Sequence, residues 1–170
     1  MRRGYVHLYT GTGKGKTTAG LGLALRAWGA GLRVCFLQFL KTRSSSECHA
    51  LSRLPGLVWK NFGRGRYIVR PLTGDRKCVA AGLQALRRIF ARAEFDLVVA
   101  DELITAIGLG LAGEAEVLAC LELRPQSLEL VLTGQPASAG LKRAADLVTE
   151  MREVKHYFQK GVKARRGIEF

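Results

Sequence analysis

A glycine-rich stretch near the start of the chain places the strongest constraint on its fold. It covers residues 10–18 and reads TGTGKGKTT. An apolar run precedes it at residues 5–9, and a segment of helical composition follows at residues 19–28. A strand, a glycine-rich loop and a helix in this order predict an anion site. Glycines let the backbone approach an oxyanion closely, and a helix start carries unpaired N–H groups and the positive end of the dipole.

The loop fits the phosphate-binding template G-x-x-x-x-G-K-[ST] at three of its four fixed positions. Gly15, Lys16 and Thr17 occupy the last three positions, and Thr10 stands where the template has its first glycine. We expect the glycines at positions 11, 13 and 15 to adopt positive φ and to turn their N–H groups toward phosphate. In this template the lysine contacts phosphate, and the hydroxyl of the serine or threonine that follows it ligates magnesium. A plain glycine-rich turn needs neither residue.

A second informative site lies where the apolar run at residues 97–100 meets Asp101 and Glu102. An acidic residue at the end of such a strand accompanies phosphate-binding loops, where its carboxylate holds magnesium through the water shell. We expect this strand to lie beside the strand that leads into the loop, so that the two ends meet. Asp101 has the alternative role of capping the next helix. Glu102 is either a metal contact or, in a hydrolase, the base that orients water.

The alternation of strands and helices predicts an α/β fold with a doubly wound, mostly parallel sheet of five to six strands. Residues 1–170 are expected to form a single P-loop nucleotide-binding domain of the RecA-like type. The helix at residues 19–28 is apolar all round and is expected to be largely buried. Residues 41–48 are predicted to form a polar loop, and Asp75 is predicted to cap a long amphipathic helix. Strands are expected at residues 5–9, 33–39, 57–61, 95–100, 129–132 and 147–150, and further helices at residues 114–123 and 139–145.

Composition limits the classes of partner. The net charge of +13, from 27 basic and 14 acidic residues, suits either nucleic acid or a polyanionic nucleotide. The basic residues are spread along the chain without a basic tail, which argues against nucleic acid. Four widely spaced cysteines without a Cys-x-x-Cys pair predict reduced thiols. The sequence has no apolar run near the roughly 20 residues of a membrane helix, and we predict a cytoplasmic location.

Together these residues resemble a known family, the P-loop type of ATP:corrinoid adenosyltransferase. The resemblance extends over residues 4–170, and a threonine in place of the first template glycine is a trait of that family. It is carried by residues 9–18 (YTGTGKGKTT), 34–41 (VCFLQFLK), 96–103 (DLVVADEL), 124–125 (RP), 132–134 (LTG), 145–151 (ADLVTEM) and the ending at 155–170.

The resemblance implies a reaction and its participants. The 5′-deoxyadenosyl group of ATP passes to the cobalt of a reduced corrinoid, cob(I)alamin or a precursor, and triphosphate is released, in adenosylcobalamin synthesis or salvage. MgATP is then the co-substrate, Mg²⁺ the metal ion and the corrinoid the substrate. An electron donor such as a flavodoxin or a reductase, and a homodimer, are also implied.

The resemblance also assigns roles to residues. Lys16, Thr17 and Glu102 are the implied catalytic residues, and Thr17, Glu102 and Asp101 the implied magnesium site. A loop at Arg66, Tyr67 and Ile68 is implied to contact the corrinoid. The implied ATP-binding residues are Gly11, Thr12, Gly13, Lys14, Gly15, Lys16, Thr17 and Thr18.

Two alternatives share some of these features. A P-loop NTPase or kinase of the RecA-like type has the same loop and the same acidic strand end. A basic module that binds nucleic acid or nucleotides would account for the net charge of +13.

Overall fold

A computed structural model describes residues 3–41, 45–64, 68 and 70–169. Six strands form one sheet in the order β3-β2-β4-β5-β1-β6, and every neighbouring pair is parallel. The predicted α/β fold with a mostly parallel sheet is confirmed. The strands are β1 (Val6–Thr10), β2 (Val34–Phe39), β3 (Val58–Phe62), β4 (Leu97–Asp101), β5 (Glu129–Thr133) and β6 (Leu147–Glu150).

Helices cover both faces of the sheet, which is the doubly wound arrangement of a P-loop NTPase-like fold. α1 contributes to the apolar cluster on one face, and α3, α4 and α5 contribute to the larger cluster on the other. The helices are α1 (Lys16–Gly29), α2 (Ser46–Leu51), α3 (Thr73–Arg92), α4 (Leu103–Gly108), α5 (Glu114–Glu122) and α6 (Ala139–Ala144), and a 3₁₀ turn covers Tyr157–Lys160.

Helix α1 differs from its prediction in two respects. It begins at Lys16, three residues earlier than expected, so that Lys16 and Thr17 belong to its first turn. It is also buried on one side only, through Gly20, Ala24 and Ala27, while Leu25 remains 54% exposed. The expectation of a largely buried helix was wrong, because a helix packed on a sheet buries the stripe that faces the sheet.

Two further local predictions are corrected. Of the polar loop predicted at residues 41–48, residues 46–48 belong to α2, which Cys48 and Leu51 anchor in the interior, and residues 42–44 lie outside the described residues. Helix α4 was not predicted. Asp75 is the third residue of α3 rather than its N-cap. Its carboxylate accepts a hydrogen bond of 2.9 Å from the backbone N–H of Leu72, the residue at the cap position. The acidic half of a capping box therefore resembles a cap when the sequence alone is read.

The four cysteines are thiols with no disulfide between them, as predicted, and Cys35, Cys48 and Cys120 are buried. Within the described ranges, no helix combines the length and the apolar character that crossing a bilayer requires. The cytoplasmic location stays a prediction.

Candidate nucleotide site at the carboxyl edge of the sheet

The phosphate-binding loop connects β1 to α1, and two of its glycines have backbone conformations that other residues rarely adopt. Gly11 has φ +96° and Gly15, the N-cap of α1, has φ +116°. A Cβ at Gly11 would also lie 2.4 Å from the carbonyl oxygen of Met151. The first N–H groups of α1 have no acceptor within the helix, so they are directed toward whatever lies in front of the loop.

Gly13 departs from the expectation for this loop. It lacks the positive φ of Gly11 and Gly15. Its N–H donates to the carbonyl oxygen of Met151 at 2.7 Å instead of pointing toward a ligand. A Cβ at this position would lie 2.9 Å from the carbonyl carbon of Arg152. Gly13 is therefore needed for the close packing of the loop against the segment after β6. The positive φ expected for it was wrong, and its assignment to ATP binding stays a prediction.

The Lys16 side chain lies back across the loop. Its Nζ donates to the carbonyl oxygens of Gly11 at 2.7 Å and Gly13 at 2.8 Å. Burial lowers the pKa of Lys16, while Glu102 and Asp101 act in the opposite direction. The ammonium is thus held within the loop by two neutral carbonyl oxygens, which phosphate oxygens can replace as its hydrogen-bond acceptors.

The strand that precedes the loop and the strand that carries the carboxylates are not neighbours. β5 lies between β1 and β4, so the expectation of adjacent strand ends was wrong. Thr133, the last residue of β5, pairs with Tyr9 of β1 in the sheet, and its side chain contacts both acidic residues. Its Oγ1 donates to Asp101 Oδ1 at 2.7 Å and accepts the backbone N–H of Glu102 at 2.9 Å. The intervening strand therefore sets the orientation of both acidic residues.

Glu102 begins α4 in the left-handed conformation, with φ +64°. Its Oε2 accepts a hydrogen bond of 2.5 Å from Thr105 Oγ1. Burial, and then the negative charge of Asp101, raise the pKa of Glu102. Because Glu102 occupies the N-cap position of α4, the alternative that Asp101 caps this helix is wrong.

Lys41 follows the end of β2 and is central to a polar cluster at the same edge. Its Nζ donates to Thr17 Oγ1 at 2.7 Å and lies 3.1 Å from Asp101 Oδ2 and 3.6 Å from Glu47 Oε1. The Asp101 side chain is fully buried. Burial lowers the pKa of Lys41, but the nearby carboxylates of Asp101 and Glu102 outweigh it, so the net direction is upward and the ammonium stays charged.

The last described residues of the chain fold over the loop. Lys14 Nζ lies 3.1 Å from both Tyr157 OH and Glu169 Oε1, and Arg165 also pairs with Glu169 at 3.2 Å. The Tyr157 hydroxyl donates to the same carboxylate oxygen. Lys14, predicted to bind phosphate, is therefore paired with a carboxylate of the C-terminal turn.

These elements enclose a cavity of about 440 Å³ in front of α1. Lysines from the loop and from the end of β2 line it together with the Glu102 carboxylate. Its lining residues are Lys14, Gly15, Lys16, Thr17, Thr18, Leu21, Lys41, Ser46, Glu47, Glu102, Gly167, Ile168 and Glu169.

Not every predicted site residue reaches this cavity. Gly11, Thr12 and Gly13 are not among its lining residues, and neither is the fully buried Asp101. The predicted corrinoid contacts Arg66 and Tyr67 are outside the described residues. Ile68 is partly buried and packs against the larger apolar cluster.

The fit of a magnesium ion can be judged from the Lys41 ammonium. This cation already lies between Thr17 Oγ1 and Asp101 Oδ2, which are hard oxygen ligands of the kind magnesium prefers. In the described part of the chain, no group of three His, Cys, Asp or Glu side chains is placed to hold a metal ion. A magnesium ion here would need the Thr17 hydroxyl and, with a nucleotide, phosphate oxygens.

Four residues of the site were missed by sequence reasoning: Lys41, Glu47, Thr133 and Glu169. Lys41 and Thr133 each lie at the carboxyl end of a parallel strand, which is a usable signal because ligands bind there. Glu47 was assigned to a loop, and Glu169 is more than 150 residues from its partner Lys14. For the last two residues, no local pattern indicates the contact.

The sheet order, the phosphate-binding loop and the acidic strand end define a P-loop nucleotide-binding protein. The family model described as ATP:corrinoid adenosyltransferase BtuR/CobO/CobP matches residues 2–170. The chain belongs to this family, and it is an enzyme of ATP-dependent corrinoid adenosylation.

Individual relatives agree over nearly the whole chain. A corrinoid adenosyltransferase of Pseudomonas aeruginosa is 35% identical over 99% of this chain and 84% of its own length. The corrinoid adenosyltransferase CobA of Salmonella typhimurium is 34% identical over 99% of this chain and 86% of its own. A corrinoid adenosyltransferase of Escherichia coli K12 is 33% identical with the same coverage. These matches favour the adenosyltransferase over the two alternative functions.

Proposed function

We propose that the chain transfers the 5′-deoxyadenosyl group of ATP to the cobalt of a reduced corrinoid and releases intact triphosphate. The reduced cobalt supplies an electron pair to C5′ of the ribose, and a cobalt–carbon bond forms. The bond between C5′ and the triphosphate oxygen breaks at the same time, and its electrons leave with the triphosphate. The protein has to bind the triphosphate, stabilise its negative charge and orient C5′ toward the corrinoid.

The observation that carries the proposal is the charge arrangement around the 440 Å³ cavity. Lys14, Lys16 and Lys41 bring three ammonium groups to it, and the start of α1 adds its unpaired N–H groups. Such a site suits a highly charged leaving group better than a neutral one. We assign Lys16 and the loop residues to triphosphate binding, whichever bond of ATP is broken.

We assign Mg²⁺ to Thr17, Glu102 and Asp101. A magnesium ion supplies Lewis-acid stabilisation of the leaving triphosphate. Thr17 contributes its hydroxyl, and Thr133 holds Asp101 and the backbone of Glu102 in place. Glu102 serves in this assignment as an ionised carboxylate, which its raised pKa makes dependent on a nearby cation.

The remaining assignments complete the proposal. Arg66, Tyr67 and Ile68 form the corrinoid contact, an external flavodoxin or reductase reduces the cobalt, and two copies of the chain form a homodimer. Residues 1–170 act as a single P-loop domain, which the membership of all six strands in one sheet supports.

The test is an anaerobic incubation of the protein with MgATP, cob(III)alamin and a chemical reductant. We expect the visible spectrum to change to that of an alkylated corrinoid, with one triphosphate released for each adenosyl group transferred. Phosphate or diphosphate release without cobalt alkylation would instead identify a hydrolase or a kinase. A reaction without ATP is the matched control for spectral changes caused by reduction alone.

A further inference from the structure

The Lys41 ammonium lies where oxygen atoms from three separate elements converge. These are the Thr17 hydroxyl of α1 at 2.7 Å, the Asp101 carboxylate of β4 at 3.1 Å and the Glu47 carboxylate of α2 at 3.6 Å. Lys41 itself comes from the segment after β2. Its side chain is 27% exposed, and the Asp101 side chain with which it pairs is fully buried. The contact is therefore screened from water and is not a loose surface ion pair.

The same oxygens are suited to a divalent cation. A hydroxyl and carboxylates are hard ligands for Mg²⁺, and Thr17 and Asp101 are two residues of the proposed magnesium site. The ammonium and a divalent ion would have to share these two ligands and would repel one another at contact distance. One of them must leave when the other binds.

We propose that Lys41 is a positioning residue whose ammonium occupies the divalent-cation site in the nucleotide-free protein. The ammonium leaves this site when magnesium binds together with the nucleotide. This inference rests on the proposed magnesium site at Thr17 and Asp101. A bare divalent ion must separate Lys41 from a buried carboxylate, and it provides no new anion for the displaced ammonium. MgATP brings such anions, because the triphosphate enters the cavity that Lys41 lines. Lys41 thereby couples cation binding to nucleotide binding.

The charge balance of the cluster supports this coupling. Glu47, Asp101 and Glu102 supply three carboxylates, and Lys16 and Lys41 supply two ammonium groups. Loss of the Lys41 charge would leave a strongly negative cluster around the Thr17 hydroxyl. Such a cluster would bind a divalent ion without a nucleotide.

The test measures Mn²⁺ binding by electron paramagnetic resonance, in which the signal of the unbound ion disappears on binding. Wild type is compared with Lys41→Met and Lys41→Gln, and the second variant keeps a hydrogen-bonding side chain but has no charge. Without nucleotide, we expect both variants to bind Mn²⁺ at least about tenfold more tightly than wild type. Lys142→Met is the matched control, because it removes a lysine paired with an exposed carboxylate, that of Glu150, at 3.7 Å.

Equal Mn²⁺ affinity in wild type and both Lys41 variants would overturn the proposal. A purely structural role of Lys41 predicts unchanged or weaker binding, so a gain in affinity separates the two explanations. Variants that fold only with Mn²⁺ and unfold in EDTA would also support the proposal, because the ion then replaces the missing ammonium.

The outcome is independent of the reaction assigned above. Spectral assay of wild type in the same preparation reports adenosyl transfer, whereas Mn²⁺ affinity reports the role of Lys41. Failure of the transfer reaction with tighter Mn²⁺ binding in the variants would contradict the proposed function alone. If wild type transfers the adenosyl group and all variants bind Mn²⁺ with equal affinity, the Lys41 ammonium does not occupy the cation site.

Discussion

Two ion pairs join the segments around strands β2 and β4, one at each edge of the sheet, and they differ in kind. At the amino edge, Arg33 Nη2 and Nε bind the two carboxylate oxygens of Asp96 at 2.9 and 3.0 Å, and the Arg33 backbone N–H donates to the same side chain. At the carboxyl edge, Lys41 meets the buried Asp101 at 3.1 Å and shares its ammonium with Thr17 and Glu47.

The difference lies in how easily each cation can be replaced. The planar guanidinium of Arg33 matches the geometry of one carboxylate and leaves no position for another ligand. The Lys41 ammonium is a point charge on a flexible stem, surrounded by oxygens that suit other cations equally well. The same two strands thus have a fixed ion pair at the amino edge and an exchangeable cation at the carboxyl edge. Chemistry is expected at the exchangeable edge.

The largest expected effect comes from Lys16→Ala at the carboxyl edge. Loss of the ammonium removes a stabilising charge from the triphosphate, and we expect kcat/KM to fall by roughly two to three orders of magnitude. Adenosyl transfer to a reduced corrinoid measures the effect. Arg33→Ala is the comparison at the amino edge and is expected to leave kcat/KM unchanged. Similar losses in both variants would contradict the division between the two edges.

Asp101→Asn should weaken cation binding in the presence of nucleotide. The amide keeps the shape of the side chain but loses the negative charge of Asp101. We expect the Mn²⁺ affinity of the ATP complex to fall by roughly 10- to 100-fold. Paramagnetic resonance titration measures it, and Asp96→Asn is the matched carboxylate-to-amide control at the other edge. An unchanged affinity in Asp101→Asn would remove Asp101 from the metal site.

Thr133→Val tests the bridge between the strands. Valine keeps the branched shape of threonine, but the buried Asp101 Oδ1 and the N–H of Glu102 lose their partner. We expect the free energy of unfolding to fall by about 1–3 kcal/mol, as measured by urea denaturation. Thr149→Val on the exposed strand β6 is the control. If the two variants unfold at the same urea concentration, the Thr133 hydroxyl does not orient the acidic pair.

The smallest effect is expected at the amino edge. Arg33 lowers the pKa of Asp96 to about 2, below the ordinary value of 3.8. Because the folded-state pKa is depressed, the stabilisation is present above pH 3.8 and is lost as the pH falls toward 2. This pair is exposed to solvent, so Asp96→Asn should lower Tm near neutral pH by no more than about 3 °C. The difference should shrink as the pH falls through 2 and vanish below it, and a difference that stays undiminished below pH 2 would contradict the assignment.

The sequence was a good guide wherever one segment decides the outcome. The alternation of elements predicted all six strands within one or two residues. The buried strands β2 and β4 were the clearest, since buried parallel strands have near-continuous apolar runs bounded by turns. The loop template likewise predicted a helix directly after the loop, although that helix begins at Lys16 and not at residue 19. Glu102 and Asp101 were identified because they directly follow an apolar strand.

Long-range placement was not predictable to the same degree. The position of β5 between β1 and β4 depends on sheet order, which no local pattern encodes. The role of Gly13 depends on its contact with Met151, which is 138 residues further along the chain. Lys41 lies in a stretch whose composition indicated a polar loop, and its partners come from three other elements. Local periodicity carries no information about contacts between residues that are distant in the sequence.

The C-terminal turn has a practical consequence for handling the protein. Residues 167–169 line the cavity in front of α1, and Glu169 pairs with Lys14. Residues 3–5 instead lead into the start of β1 at the opposite edge. An affinity tag at the carboxyl terminus would follow residues that line this cavity, so its bulk and charge would obstruct the proposed ATP site. A tag at the amino terminus would precede residues that enter β1 at the opposite edge, so this end suits purification or surface immobilisation better.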